Sequence, residues 1–543
     1  MTNLNLIETY LHKQNALTAV DVFSKTHEEG AFPKHEKFYR DLIPKRESVG
    51  GEQLAFQVDL DTCTGCKACV AGCHSMNGLD KDEAWRKTGT IQSTDEKAPF
   101  SQTLTSACHH CLEPACALGC PTMAYEKDPL TGIVKHLDDQ CFGCRYCELK
   151  CPYGVPQYNE NLGIVRKCDM CTERLSEGEA PACVQSCPNG AISITIVKKD
   201  ELLKTASESF AKIPNTPDVN ITLPTTQYIS KRDFKNASNN KESHLKAKAE
   251  HPHTPLVFML VLTQFSVGGI VSATAMSIMA LHCSELILSA LILASIGLGI
   301  APLHLGKPHL AYKAFLGFRT SWLSREMIAF APYPLFITLA LIPAYSEIIQ
   351  HYTPIALPEF IFTSSFKTIT LLAASIIGII SVFCSAMIYI DTKRKFWETK
   401  RTFAFFTFTV LSSAFLLAFL QEVYLGRTEY SILSLVGFFL CCLIKLATDT
   451  RFKHKQHQHE LLTSAKILIE GDQSFNLSNR ICIGAISGLI LPLFFMIQCF
   501  SSEIVINPYL SAIMAIGWLV SEFYERVLFF TLALPQKMPG PNN

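Results

Sequence analysis

Several common signals are missing from this 543-residue sequence. It has no net charge: 48 Lys and Arg stand against 48 Asp and Glu, so no global basic field argues for nucleic acid. It has no P-loop, and no convincing GxGxxG follows a strand, which removes the usual nucleotide-binding readings. The opening segment, MTNLNLIETYLHKQNALTAVDVFSKTHEEG, lacks a basic start followed by an apolar core, and it lacks a twin arginine. It does not read as a secretory or twin-arginine signal. The thiols are therefore expected in a reducing compartment, where metal or redox chemistry displaces structural disulfides, unless a partner subunit carries an export signal for both.

What is present is sharply divided. Sixteen of the 22 cysteines, and most of the charge, lie before residue 250. From about residue 255 onward, long apolar runs dominate and charge is confined mostly to the gaps. The sixteen cysteines form four groups of four. They are Cys63, Cys66, Cys69 and Cys73; Cys108, Cys111, Cys116 and Cys120; Cys141, Cys144, Cys147 and Cys151; and Cys168, Cys171, Cys183 and Cys187. The third group reads CFGCRYCELKCP, the Cys-x2-Cys-x2-Cys-x3-Cys-Pro run of bacterial ferredoxins, which holds [4Fe–4S] clusters. Three thiolates curl around one cluster, and the fourth reaches the other cluster of a pair. Zinc also takes four thiolates, but its modules use two pairs across a long spacer and need no third cysteine two residues on. His109 and His110 lie inside the second group, where four cysteines already complete a set, so they are expected in the loop and not as ligands.

The segment between Cys120 and Cys141 reads as a helix start, a turn at Asp128-Pro129 and a strand around Gly132-Ile133-Val134. That suits adjacent halves of one ferredoxin fold, so the second group is expected to pair with the third and the first with the fourth. Four ligand sets follow. Site I uses Cys63, Cys66, Cys69 and Cys187; site II uses Cys168, Cys171, Cys183 and Cys73. Site III uses Cys108, Cys111, Cys116 and Cys151; site IV uses Cys141, Cys144, Cys147 and Cys120.

The CHHC and CRYC groups, followed by PYGVPQYN and RKCDMC, resemble the four-cluster electron-transfer subunit of the dimethyl sulfoxide reductase type of molybdoenzyme, from about Phe56 to Ile196. In the nitrate reductase relative a tryptophan stands at the position of Cys144 and that cluster has three irons. The resemblance therefore implies four clusters of four irons here. His74 departs from the pattern, replacing the proline after the last cysteine of group one.

Eight apolar stretches follow, near 255–278, 284–303, 326–346, 368–390, 402–424, 431–449, 481–500 and 507–533, each close to the roughly 20 residues that span a bilayer. The fold expected is an α+β tandem bacterial-ferredoxin-like iron–sulfur module followed by an all-α eight-helix transmembrane bundle. The boundaries expected are an N-terminal extension over 1–50, the four-cluster domain over 51–200, a polar linker over 201–254, the bundle over 255–535 and a tail over 536–543. One set of gaps holds fourteen basic residues: Lys307, Lys313, Arg319, Arg325, Lys393, Arg394, Lys395, Lys400, Arg401, Arg451, Lys453, Lys455, Lys466 and Arg480. The opposite set offers Lys367 and Arg427. Cytoplasmic loops carry the excess of Lys and Arg, so the basic face and the iron–sulfur module are expected inside a bacterial plasma membrane. Lys241, Lys246 and Lys248 before the first span agree. The resemblance points the other way, since the dimethyl sulfoxide reductase complex would place its clusters outside.

The stretch LHLGKPHLAYKAFLGFRTSWLSRE resembles the quinol-binding loop of that family's eight-helix anchor subunit. His304 matches the histidine of its LHLG motif and Glu326 the acidic residue that starts the third helix, with Arg319, Trp322 and Arg325 between. A histidine near the interface can take a proton from a quinol hydroxyl, and an intramembrane carboxylate is costly unless functional or paired. The structural alternative is a Glu326 paired with Arg325 or Arg319 that only anchors a helix. Glu522 and Arg526, at i,i+4 spacing, are expected to pair locally, with Gln264, Glu422 and Glu525 as further polar residues of the spans. Cys283, Cys384, Cys441, Cys442, Cys482 and Cys499 are expected as small apolar fillers.

Together these features specify an electron-transfer and membrane-anchor chain. It is expected to pass electrons from menaquinol or ubiquinol through four [4Fe–4S] clusters to a separate subunit, by resemblance a molybdopterin-containing catalytic subunit. Reverse flow from a dehydrogenase to quinone, a cluster-driven ion translocator and a purely structural anchor are the alternatives. The terminal substrate is set by the separate subunit.

Overall fold

The computed structural model describes residues 36–93, 100–210, 213, 216–232, 237–239, 248–352, 358–427, 430–454, 460–500 and 506–538. Most of the expected N-terminal extension, the last five residues, and Lys241, Lys246 and Lys455 lie outside the described residues.

The N-terminal module carries ten short strands among the described residues: β1 (Glu52–Asp59), β2 (Lys87–Ser93), β3 (Ser101–Ser106), β4 (Tyr125–Lys127), β5 (Val134–His136), β6 (Gln157–Asn159), β7 (Ile164–Arg166), β8 (Ile192–Lys198), β9 (Gln227–Ile229) and β10 (Ala237–Asn239). β1 precedes cysteine group one and β8 follows group four. They pair antiparallel from Glu52 opposite Lys198 to Val58 opposite Ile192. This closure brings the two ends of the module together. The alternating β-branched residues of ISITIVK suit such a half-buried ladder. β4 pairs with β5 behind group two, and β6 with β7 behind group three. The Asp128 carboxylate accepts from the backbone N–H of Leu130 at 2.9 Å and of Thr131 at 2.6 Å, which makes the turn expected there.

The stretch expected as a linker is partly folded into the module. A helix spans Leu202–Phe210, and β9 adds in parallel to the free edge of β1, with Gln57 opposite Gln227. β10 pairs antiparallel with β2. A three-residue strand needs no apolar periodicity to be held by an open edge, which is why composition alone reads this region as a connector.

Among the described residues, seven helices are long and apolar enough to cross a membrane: Thr254–Ile278, Ser284–His304, Trp322–Ala344, Ser364–Ile390, Thr399–Tyr424, Ser431–His454 and Ser474–Cys499. The eighth expected span is also a helix, Pro508–Thr531, but it carries Glu522, Glu525 and Arg526. The third span starts at Trp322, four residues earlier than its apolar run. Ser321 caps it, the hydroxyl accepting from the Ser324 N–H at 3.5 Å and donating to the Gly119 carbonyl at 2.7 Å. The first span is the buried centre of the bundle. A Cβ on Gly268 would come within 2.1 Å of the Ser413 hydroxyl oxygen, so the first and fifth spans approach backbone to backbone.

The charges of the eighth helix face inward. Glu522 pairs with Lys445 and, at 3.1 Å, with Arg480; Glu525 pairs with Lys445 at 2.7 Å. Arg480 also pairs with Asp449 at 3.1 Å. Arg526 donates to the Gln264 side-chain oxygen at 2.9 Å and lies 3.8 Å from Glu525. The local Glu522–Arg526 pair expected from spacing does not form, because neighbouring helices offer Glu522 two other cations. Arg480 is fully buried inside the bundle and is no loop charge. Of the scattered cysteines, Cys283, Cys384, Cys441 and Cys442 are buried, Cys499 is half-buried and Cys482 is exposed.

Candidate metal and quinol sites

Each cysteine loop turns through left-handed backbone. In CTGCK, Gly65 and Lys67 have φ of 71° and 62°; in CFGCR, Gly143 and Arg145 have 73° and 60°. His110, at φ 41°, does the same in group two, and Met170 and Cys171, at 61° and 47°, in group four. Such turns aim successive N–H groups into one concavity, a cradle for a negatively charged group.

Four thiols ring each void. Cys63, Cys66, Cys69 and Cys187 line a cavity of about 310 Å³. Cys108, Cys111, Cys116 and Cys151 line one of about 370 Å³, and Cys120, Cys141, Cys144 and Cys147 one of about 270 Å³. Cys73, Cys168 and Cys171 all interact with Cys183. All sixteen are free thiols. Backbone N–H groups donate to sulfur from Ala124 to Cys120 at 3.2 Å, from Ala191 to Cys187 at 3.3 Å and from Met170 to Cys168 at 3.4 Å.

The donor chemistry fits iron–sulfur clusters. Among the described residues no three His, Cys, Asp or Glu side chains converge on one point as they would around a single ion. Three of the four thiol sets instead share a void walled by all four of their sulfurs. Burial pushes the Cys73 thiol up to about 12 and the Cys151 thiol up to about 11, so these sulfurs ionise only when a metal takes the place of the proton. Two further residues support the same reading. Arg86 and Lys167 are almost wholly buried, 2% and 3% exposed, and among the described residues no carboxylate forms an ion pair with either. A buried cation is expensive without an anion beside it. The groups facing Arg86 are Cys183, Cys69, Cys168 and Cys73; those facing Lys167 are Cys108, Cys116 and Cys168, ahead of the Asp169 carboxylate.

The two histidines of group two are also buried. Thr226 holds the His109 Nδ1 at 2.9 Å, and the His110 Nδ1 accepts from the Val134 N–H at 3.1 Å. Burial lowers His109 to about 3 and His110 well below its ordinary value. Both are neutral walls of the site III cavity.

The four sites lie in a row. Site I is at the open end, where Cys66 is exposed. Sites I and II meet across Arg86, and sites II and III where Cys168 and Cys108 interact. Sites III and IV meet at Tyr125, which faces Cys116 as well as Cys147 and Cys120. Site IV abuts the membrane helices: Tyr146 belongs to the bundle core and Cys144 packs against it.

The loop carrying His304 is bonded to the site IV loops. Lys307 N–H donates to the Phe142 carbonyl at 3.0 Å, and Gly317 N–H to the Pro121 carbonyl at 2.8 Å. Gly306 lies so close to Gly163 that a Cβ would stand 2.0 Å from the Gly163 carbonyl oxygen. Lys150 pairs with Asp391 at 2.6 Å, and Arg394 donates to the Glu148 carbonyl at 3.3 Å and to the Ala533 carbonyl at 2.7 Å. The module thus sits on the loops after the second and fourth spans, on the basic side of the bundle.

Glu326 is buried, and its carboxylate accepts from the Ser385 hydroxyl. Neither arginine of the structural alternative pairs with it. Arg325 reaches the carbonyls of Phe318 at 3.1 Å and Arg319 at 2.7 Å, with its guanidinium 4.3 Å over the Trp322 ring. Arg319 is exposed. His304 is half-buried, and its Nδ1 bonds the Ala301 carbonyl, which can only accept. The Nδ1 therefore carries the proton, and in the neutral ring Nε2 is left as an acceptor.

Residues 99–197 match the 4Fe-4S dicluster domain family, and residues 248–532 match the DMSO reductase anchor subunit (DmsC) family. This protein is a member of the DMSO reductase anchor subunit family. Its module is similar to the B subunit of anaerobic dimethyl sulfoxide reductase from Escherichia coli (strain K12), 37% identical over 180 residues, 32% of this protein and 86% of that one. The corresponding B subunit of Haemophilus influenzae is 36% identical over 182 residues, 32% of this protein and 87% of that one. Hydrogenase-2 operon protein HybA of Escherichia coli O157:H7 is 33% identical over 189 residues, covering 30% of this protein and 57% of that one. This member of the anchor family therefore joins the iron–sulfur and anchor subunits in one integral membrane polypeptide. It holds iron–sulfur clusters and serves electron transfer and membrane anchoring in anaerobic respiration.

Proposed function

We propose that this protein takes electrons from membrane quinol, menaquinol or ubiquinol, and passes them through four [4Fe–4S] clusters to a separate molybdopterin-containing catalytic subunit. The observation that carries the reading is the bonding of the His304 loop to the site IV loops through Lys307–Phe142 and Gly317–Pro121. A quinol beside His304 lies next to the first thiol set of the row. Sites I to IV are assigned the ligands given above, with the module running from residue 51 through β9 and the bundle over 255–535. The clusters, when bound, accept and pass on electrons singly.

The protein's own residues handle the protons. Oxidation of one quinol releases two electrons and two protons. His304 Nε2 accepts one hydroxyl proton, while Ala301 keeps the ring oriented. Glu326, held by Ser385, accepts the other. Trp322 and Arg325 hold the loop between them, Arg325 by bonding two of its carbonyls. The basic loops lie on the module's side, so the module is assigned to the cytoplasmic face.

Membranes containing His304→Ala or Glu326→Gln should bleach cluster absorbance with quinol about 100-fold more slowly than wild type. Iron should stay near sixteen per polypeptide, about four per thiolate set. Unchanged bleaching rates in both variants would remove the quinol site. About eight irons in wild type would remove the four-cluster assignment. Cleavage of the module in sealed right-side-out vesicles would reverse the orientation.

A further inference from the structure

The row of thiol sets has a buried polar side chain at each of its three junctions, two of them cationic and one neutral. Between sites I and II stands Arg86. Its guanidinium lies 4.6 Å over the Phe56 ring and donates to the Thr105 hydroxyl at 3.3 Å. Thr105 in turn contacts the Cys69 sulfur at 3.6 Å. The Nε and Nη2 of Arg86 have no hydrogen-bond partner among the described residues, and both are buried. Lys167 stands between sites II and III. It donates to the Cys168 carbonyl at 2.8 Å and to the Val134 carbonyl, the latter in the wall of the site III cavity. Between sites III and IV stands Tyr125, a neutral phenol against the His136 ring at 5.0 Å.

We propose that Arg86 and Lys167 are fixed counter-charges that raise the reduction potentials of the clusters on either side of them. Site II is flanked by both cations, sites I and III by one each, and site IV by neither; Arg145 lines the site IV cavity, but it is part-exposed and its charge is paired with Glu148 at 2.8 Å. The inference rests on the ligand sets assigned above. Its physical basis is direct. Cluster potentials depend on net charge, on hydrogen bonds to sulfur and on exposure. A cation held in a low-dielectric interior favours the reduced, more negative state of its neighbours, and it is screened far less than a surface charge. Neither cation has a carboxylate in ion-pair contact among the described residues; the charges beside Arg86 are thiols, and beside Lys167 the thiols of Cys108, Cys116 and Cys168 act ahead of the Asp169 carboxylate. The outcome is a graded wire in which the membrane end, site IV, lacks the pull that the middle of the row has.

The test is potentiometric EPR on the full-length protein in membranes, comparing wild type with Arg86→Gln and Lys167→Met. In each variant two of the four midpoints should fall by at least about 59 mV, a tenfold change for one electron. One midpoint should fall in both variants and one in neither, a pattern that needs no prior assignment of signals to sites. Arg86→Lys and Lys167→Arg should restore the wild-type values within that margin. Loss of flanking signals in the neutral variants with retention in the charge-conserving ones is the same dependence in a stronger form. The proposal is overturned if all four signals persist with unmoved midpoints, if all four midpoints move together, or if charge-conserving and neutral variants behave alike. Fewer than four signals in wild type is a different failure, that of the ligand sets.

Discussion

The hydroxyl of Tyr146, two residues past Cys144, donates to the carbonyl of Ile388 near the end of the fourth span at 3.0 Å. The same side chain packs in the core of the membrane bundle. One residue thus belongs to a cysteine loop and to the helices. Tyr146→Phe keeps the ring and leaves a buried carbonyl unpaired, a cost of about 1–2 kcal/mol. Amide exchange over residues 141–151 should quicken roughly five- to thirty-fold. Unchanged exchange would mean that the contact does not hold the joint.

Gly306→Ala offers a sharper test of the same joint. The new methyl would need space already held by Gly163, so the backbone must give way. Displacement of about 1 Å at a positioning element can cost about 100-fold in rate. Quinol-driven bleaching should slow by that order while iron content stays at the wild-type level. Bleaching at the normal rate would show that the loop need not touch the module.

The buried ion network predicts strong coupling between helices. Lys445→Met leaves Glu522 and Glu525 facing a reduced positive charge in the bundle and should cost about 3–5 kcal/mol. Adding Glu522→Gln restores the balance of charge and should recover much of that loss. Thermal unfolding in detergent reads the cycle. A double variant less stable than Lys445→Met would rule out charge balance as the cause.

Acid should loosen the entrance to the first span. Burial lowers His253 to about 3, beside Arg145, His251, His304 and Arg394, with its ring 5.7 Å from Phe530. The unfolded polypeptide takes up this proton near pH 6.5 and the folded protein does not. The stability is therefore present above about pH 6.5 and declines as pH falls, by about 1.4 kcal/mol per unit. His253→Gln should remove that share of the slope between pH 6.5 and 5, leaving the contribution of buried His109 in place. An identical slope in the variant would refute the assignment.

The cysteine runs are legible in the sequence because their chemistry is local: thiol spacing, with a glycine and a basic residue at the left-handed positions of CTGCK and CFGCR. The spans are legible for the same reason, each being a continuous apolar run. What escapes is set by tertiary closure. Arg86 lies in DEAWRKTG, a polar stretch that gives no sign of burial until β2 and β3 pair over the thiols. Lys167 sits in RKCDMC, one residue before a ligand, and reads as an ordinary surface charge. Arg480 reads as a loop cation because its helix begins in polar sequence, yet it faces Glu522 and Asp449. Spacing within the eighth helix cannot reveal that Lys445 and Arg480, from other helices, reach Glu522 first.

The row of sites is also a row of vulnerabilities. Cys66 at site I is open to solvent, whereas Cys147 and Cys120 at site IV are buried and Cys144 is half-buried against the bundle. Peroxide is polar and reaches a cluster by way of water, so its damage to the protein on its own would begin at site I, where Cys66 is exposed. On the flow proposed above, the isolated protein would then lose the outlet of the wire before its inlet, and would still accept electrons at the membrane end with nowhere to send them.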